Sequence, residues 1–117
     1  MESQKEGRGK DMRLISQSGK TDLPYERYVL RLTGLHTETV TAFVAGDEEP
    51  NTIGRYSSEE DAKFAMLWVV SCYINENRCV KMPSAAQATE MRKGYEEKRK
   101  DGEPLYKFLR RVSLWQK

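Results

Sequence analysis

Apolar and polar residues alternate along three short segments in the first half of the chain, at residues 25–33, 39–45 and 52–56. A period of two is typical of a strand with one face buried, and the middle segment is also rich in β-branched residues. Gly34 and the residues after it favour a turn between the first two segments. The pattern therefore predicts a three-stranded antiparallel sheet over residues 25–56.

The pattern changes after this sheet, because residues 64–74 are apolar at nearly every position. Ser57 or Ser58 is suited to cap a helix here, and Ser57 with Glu60 matches the S-x-x-E capping box. Acidic side chains in the first turn also favour a helix start, since they offset the helix dipole. We expect a central helix over residues 58–76, and its lack of a polar face indicates cover on most sides.

The C-terminal third shows helical spacing in two segments. Ser84 and Gln87 form a second capping-box pattern, which predicts a helix over residues 84–101. Pro104 suits the first turn of a helix over residues 104–116, where apolar side chains recur every three or four positions. The predicted fold class is α+β: a three-stranded antiparallel sheet packed on a central buried helix, followed by two amphipathic C-terminal helices.

The N-terminal segment has a different character from the rest of the chain. Residues 1–22 contain three glycines, scattered charges and no aromatic residue. Such a composition is typical of a chain that buries little apolar surface. We therefore expect a flexible N-terminal arm over residues 1–22 and a single domain over residues 23–117, as the length of 117 residues also suggests.

Charge is distributed unevenly, although the formal net charge is only +2. Residues 23–80 carry a net charge of −4, whereas residues 81–117 carry +5. A separation of this kind can mark a binding face. It also occurs on helices whose charged residues merely face solvent.

Catalytic and ligand-binding patterns are weak in this sequence. The single histidine, His36, lies in a predicted turn without a nucleophile beside it, and no glycine-rich phosphate loop or Cys/His metal-ligand spacing occurs. Cys72 and Cys79 suit two reduced thiols, Cys72 as a small core residue. We expect a non-enzyme without catalytic residues, metal or cofactor, with no evident small-molecule substrate. The sequence also lacks a bilayer-spanning run and a signal-peptide pattern, which predicts a cytoplasmic protein in a reducing compartment.

One local motif resembles a known family. The strand-to-helix step at residues 54–62 contains Gly54, Tyr56, Ser58, Glu60, Asp61 and Ala62. By residue type these positions resemble the motif of AP2-type DNA-binding domains and of the arm-binding domains of phage integrases, and the resemblance covers about half the chain (residues 25–76). The resemblance implies three antiparallel strands followed by a helix, with DNA contacted by basic and aromatic side chains on the strands. The basic residues available in or beside the strands are Arg27, Arg31 and Arg55.

Two functional hypotheses follow. The first is association with nucleic acid, or with machinery that processes it, through a basic face on the C-terminal helices, because phosphates require such cations. The residues proposed for this face are Arg92, Lys93, Lys98, Arg99, Lys107, Arg110 and Arg111. The second is a protein-binding regulator or inhibitor, of the kind that phages direct against host defences, which covers a partner's surface. Its acidic loop is formed by Asp47, Glu48 and Glu49. An incompletely covered central helix would also be compatible with a homodimer.

Overall fold

The fold is taken from a computed structural model, which describes residues 12–44 and 50–113 of the chain. The described strands and helices are, in chain order, β1 (Arg13–Ile15), β2 (Asp22–Pro24), β3 (Val29–Thr33), β4 (Thr39–Phe43), β5 (Asn51–Arg55), α1 (Glu59–Ile74), β6 (Cys79–Lys81), α2 (Ala85–Lys100) and α3 (Leu105–Ser113). This combination confirms the α+β class. No helix in the described part of the chain is long and apolar enough to cross a bilayer.

The predicted three-stranded sheet is present, in the order β3-β4-β5 with antiparallel pairing throughout. Val40 and Ala42 of the central strand are fully buried, on the face that packs against α1. A bulge between Val40 and Thr41 shifts the register with β5 and leaves Ile53 as the extra residue. Ile53 is buried as well, with 1% of its surface exposed. The sheet therefore has one apolar face against the helix and one face directed outward.

Helix α1 is the centre of the core, as expected from its apolar sequence. Its N-cap is Ser58, whose hydroxyl accepts a hydrogen bond from the Asp61 amide at 3.2 Å. The predicted pairing of Ser57 with Glu60 was therefore one residue out of register, since Ser58 has the extended backbone that an N-cap requires. Phe64 and Trp68 are among the side chains that α1 buries.

A second sheet was not predicted. It has the order β2-β1-β6, in which β1 pairs antiparallel with β2 and parallel with β6. Leu14 lies opposite Leu23 on one side and Val80 on the other, and all three side chains are buried. The sheet count and order thus differ from the expectation of one sheet.

This second sheet also corrects the interpretation of the N-terminal segment. Residues 12–22 were assigned to a flexible arm, but Met12 and Leu14 are fully buried in the core. The low apolar content of the segment was misleading, because most of the few apolar side chains that it has are buried and its backbone pairs with β2 and β6. Residues 1–11 lie outside the described part of the chain, and the extent of an arm there stays a prediction.

The two predicted C-terminal helices are present, and both pack on α1. The Ser84–Gln87 capping box is formed, with the Gln87 amide donating to the Ser84 hydroxyl at 3.1 Å and the Ser84 amide donating to the Gln87 side chain at 2.8 Å. Three aromatic rings join the helices, since Phe64, Tyr95 and Phe108 have centroids 5.6–6.1 Å apart. The predicted last helix extended to residue 116, but residues 114–117 lie outside the described part.

Polar contacts made by side chains link helices to each other and the two sheets to each other. The Asp61 carboxylate, 1% exposed, accepts hydrogen bonds from the Thr89 hydroxyl and the Arg92 guanidinium, which links α1 to α2. The Gln17 side chain bonds both the amide and the carbonyl of Arg55, at 2.8 and 3.0 Å, and so occupies the free edge of β5. Gln17 therefore joins the two sheets in the way that another strand would.

Candidate functional site

A groove between α1 and α3 is the most distinctive surface of the described molecule. It encloses about 740 Å³ and is lined on the α1 side by Leu67, Val70, Ser71, Ile74 and Asn75. The residues on the α3 side are Leu105, Tyr106, Leu109 and Arg110. Ile74 and Tyr106 are 70% and 68% exposed, and Leu67 and Val70 are about two-fifths exposed. Four large apolar side chains thus face solvent around a single depression.

The arrangement follows from how α1 is covered. The sheet, α2 and α3 together enclose the side of α1 that carries Phe64, Trp68 and Cys72. Leu67, Val70 and Ile74 are spaced three and four residues apart, so they form a separate stripe that runs along two turns of the helix. α3 borders this stripe and covers it only in part. The sequence predicted that α1 needs cover on most sides, and the described residues leave this side partly exposed.

Three cations lie together on the outward face of α3. At about 100° per residue, Lys107, Arg110 and Arg111 fall within an arc of about 100°, opposite the buried Leu109 and Val112. Arg111 bonds Glu103 at 2.9 Å and lies over the Phe108 ring at 5.4 Å. Arg110 reaches the groove itself. This part of the predicted basic face is therefore brought together by the helix.

The basic residues of α2 are not brought together in the same way. Lys93 and Lys98 are both exposed, but five positions apart they point about 140° from each other. Arg99 is exposed near the C-terminus of the helix, and acidic residues such as Glu97 lie between these cations. The cations of α2 therefore surround the helix, with acids interspersed, and do not form a stripe comparable with that of α3.

Arg92, another residue of the predicted basic face, is engaged in ion pairs. Its guanidinium bonds Asp61 and also Glu96, the latter at 2.9 Å, and its side chain is only 26% exposed. Burial disfavours ionisation of Asp61, but the hydrogen bonds from Thr89 and Arg92 outweigh it and hold the pKa of that carboxyl below its usual value. The Asp61 bond in turn raises the pKa of Arg92. These contacts place Arg92 in the α1–α2 interface.

The strand arginines lie on the outward face of the β3-β4-β5 sheet. Arg31 is opposite Thr41, and Arg55 is opposite Thr39, so both point away from α1. The Arg31 guanidinium lies over the Phe43 ring, 5.7 Å from its centroid. Arg27 lies in a 3₁₀ turn before β3 and is also exposed. This face combines two exposed cations with one aromatic side chain.

The remaining candidates are the acidic loop and the single histidine. The proposed acidic loop of Asp47, Glu48 and Glu49 lies outside the described residues, and its role stays a prediction. His36 is exposed, and its backbone amide donates to the Glu38 carboxylate at 2.9 Å. Hydrogen bonds from backbone amides, including that of His36, lower the pKa of Glu38.

The two cysteines differ in their environment. Cys72 and Cys79 are free thiols, the first buried and the second exposed. Burial raises the pKa of the Cys72 thiol to about 12, which keeps it protonated and unreactive near neutral pH. No group of three or more potential metal ligands occurs in this described part.

The groove residues were not among the sequence-predicted site residues, apart from Arg110. A signal for them was present, because positions 67, 70 and 74 form a stripe on a helix with no polar face. No protein-family model, curated protein or solved structure matches this chain. The resemblance to AP2-type and integrase arm-binding domains therefore stays a prediction.

Proposed function

We propose that this protein is a non-catalytic protein-binding module and that the α1–α3 groove is its working surface. The observation that carries this proposal is the convergence of Leu67, Val70, Ile74 and Tyr106, all substantially exposed, around one groove. Single exposed apolar residues are ordinary on a protein surface, but a contiguous patch is typical of an interaction site. The protein-binding hypothesis from the sequence thus gains a specific surface.

The energy available at this surface supports the proposal. Full burial of a side chain such as Ile, Leu or Val contributes about 1.5–3 kcal/mol. Ile74 and Tyr106 each still expose more than two-thirds of their surface, so a partner that covered them would gain a large part of such a contribution from each. Tyrosine is also enriched among the residues that dominate binding energy at interfaces.

Affinity capture with a matched pair of variants tests this function. Ile74→Glu places a charge in the groove, whereas Leu35→Glu makes the same kind of change at the β3–β4 turn, where Leu35 is 89% exposed. We expect the wild-type chain and Leu35→Glu to retain the same stoichiometric protein from the native cell extract, and Ile74→Glu to lose it. Equal retention by all three chains, or retention of no stoichiometric protein, contradicts the proposal.

Nucleic-acid binding is the second candidate, and the outward face of the β3-β4-β5 sheet favours it. Arg31 and Arg55 share this face with Phe43, and cations with an aromatic side chain suit contacts to phosphates and bases. The cations of α3, which belong to the predicted basic helical face, are a second candidate site for nucleic acid. A single measurement can separate the two locations from each other and from the protein-binding function.

Fluorescence anisotropy with mixed-sequence DNA and RNA, at low and moderate salt, provides that measurement. If the sheet face binds, Arg31→Glu with Arg55→Glu abolishes binding, and Arg110→Glu with Arg111→Glu leaves it largely unchanged. If the α3 face binds, Arg110→Glu with Arg111→Glu abolishes binding, and Arg31→Glu with Arg55→Glu leaves it largely unchanged. Binding that does not weaken with salt, or its absence from the wild-type chain, argues against both locations.

A further inference from the structure

The shape of the α1–α3 groove suits a helix. Its two walls are helices, and the channel between two packed helices accepts the side-chain ridge of a third. The exposed α1 stripe from Leu67 to Ile74 covers about 10 Å at 1.5 Å per residue, and α3 has nine residues. These lengths match about two to three turns of an incoming helix. An amphipathic helix laid into a groove is also a common mode of peptide recognition.

The charge of the groove is one-sided. The described α1 wall is neutral, since its polar groups are Ser71 and Asn75, and no acidic side chain is among the described residues that line the groove. The α3 wall contains Arg110. Lys107 lies one turn before Arg110, on the outward face of α3 beside this wall, and it is exposed and forms no ion pair within the described residues. A bound helix would therefore meet apolar contact in the middle and positive charge along one border.

We infer that the occupant of the groove is an amphipathic helix of a partner protein that carries carboxylates beside its apolar stripe, on the side that meets α3. This inference rests on the proposed protein-binding function and adds the chemistry of the partner. A second copy of the chain fits less well, because two grooves related by a two-fold axis would supply no carboxylate from their described linings to the α3 wall. Opposite charge across an interface mainly sets specificity and association rate.

Two designed peptides of about 18 residues, long enough to form helix in water, test the inference. Both carry leucines at helical positions i, i+3, i+4 and i+7. One has two glutamates along one border of that stripe, and its twin has lysines at the same two positions. Binding to the full chain is measured by fluorescence anisotropy between about 0.05 and 0.5 M salt. A third peptide with the same composition as the first, but with its leucines dispersed, controls for non-specific attraction.

We expect the glutamate peptide to bind about tenfold more tightly than its lysine twin at low salt, and this ratio to shrink as salt is added. The Lys107→Glu chain should lose most of this preference, because it reverses a charge one turn from Arg110 without altering the apolar stripe. Lys93→Glu, an equal charge reversal on α2, should leave the preference unchanged. Circular dichroism spectra identical to that of the wild-type chain establish that both variants are folded.

The outcomes separate the inference from the proposed function. If both peptides bind equally and Ile74→Glu abolishes binding of both, the groove binds helices without charge selection, and the inference is overturned while the function stands. If Ile74→Glu leaves peptide binding unchanged, the proposed protein-binding function of the groove is contradicted as well. Failure of the glutamate peptide to bind, or no better binding than the dispersed control, also overturns the inference. An Ile74-dependent increase in mass with concentration, seen without peptide, identifies a second copy as the occupant and overturns it too.

Discussion

Replacement of Asp61 by asparagine should destabilise the protein substantially, although the change is nearly isosteric. The carboxylate is 1% exposed and accepts bonds from Thr89 and Arg92. Removing one partner of a buried ion pair costs about 3–5 kcal/mol. Arg92 is 26% exposed and keeps its bond to Glu96, so the remaining charge is partly solvated and paired. We therefore expect a loss of about 2–3 kcal/mol, near the value for a hydrogen bond to a charged group.

Urea unfolding followed by tryptophan fluorescence, to which the buried Trp68 contributes, measures this loss. With a urea dependence of about 1–3 kcal/mol per molar, the midpoint should fall by about 0.7–3 M. Glu60→Gln is the matched control, because it removes the same charge from the adjacent, exposed position on α1. We expect that control to change stability by less than about 0.5 kcal/mol. A similar loss in both variants would mean that the helix dipole, and not the buried pair, explains the effect.

The pH dependence of the unfolding free energy provides an independent check on the contact between Asp61 and Arg92. Because the pKa of folded Asp61 lies below that of the unfolded chain, its ionised form stabilises the protein above the unfolded pKa of about 3.9. This contribution disappears as pH falls through the folded pKa. The difference in unfolding free energy between the wild type and Asp61→Asn should therefore be constant near neutrality and decrease below about pH 4. A difference that is absent at pH 7, or that does not decrease in acid, refutes the reasoning.

Two further predictions concern the second sheet and its link to the first. Leu14→Ala should cost about 2–5 kcal/mol in urea unfolding, because Leu14 is fully buried between Leu23 and Val80, whereas Val29→Ala, at a position 57% exposed, should cost far less. Equal, small losses would show that β1 is not part of the core. Gln17→Ala should cost about 1–3 kcal/mol and accelerate hydrogen exchange of the Arg55 amide, since it removes that amide's bonding partner. An unchanged exchange rate would contradict the proposed bridging role.

The first sheet and the helices could be predicted because their signals are local. The strands β3 and β4 show period two, α1 is apolar over more than two turns, and the Ser84–Gln87 cap lies within four residues. Each of these patterns is complete within a short window of the sequence. The structure accordingly contains these elements within a few residues of their expected bounds.

The second sheet could not be predicted because its stability is non-local. Its strands are three residues long, too short for a period to be recognised. β1 pairs in parallel with β6, so Leu14 meets Val80 across most of the chain. The pairing of Asp61 with Arg92 was also hidden, since 31 positions separate them. That contact explains why a residue expected on a basic surface lies in an interface.

The candidate site was only partly predictable for a related reason. The spacing of Leu67, Val70 and Ile74 was visible, but which side of α1 remains open depends on how α3 packs against it. Exposure is thus a property of the assembled helices. Helical spacing alone was enough to place the cations of α3 on one face. The cations of α2 do not form such a face, because they are distributed around the helix.

Photo-crosslinking in the native cell tests the groove as the working surface most directly. A photoreactive amino acid would replace Ile74 in one chain and Leu35 in another, both of them highly exposed positions. We predict a discrete protein adduct from position 74 that is absent at position 35. Absence of an adduct from position 74, or the same adduct from both positions, would contradict the assignment of function to the α1–α3 groove.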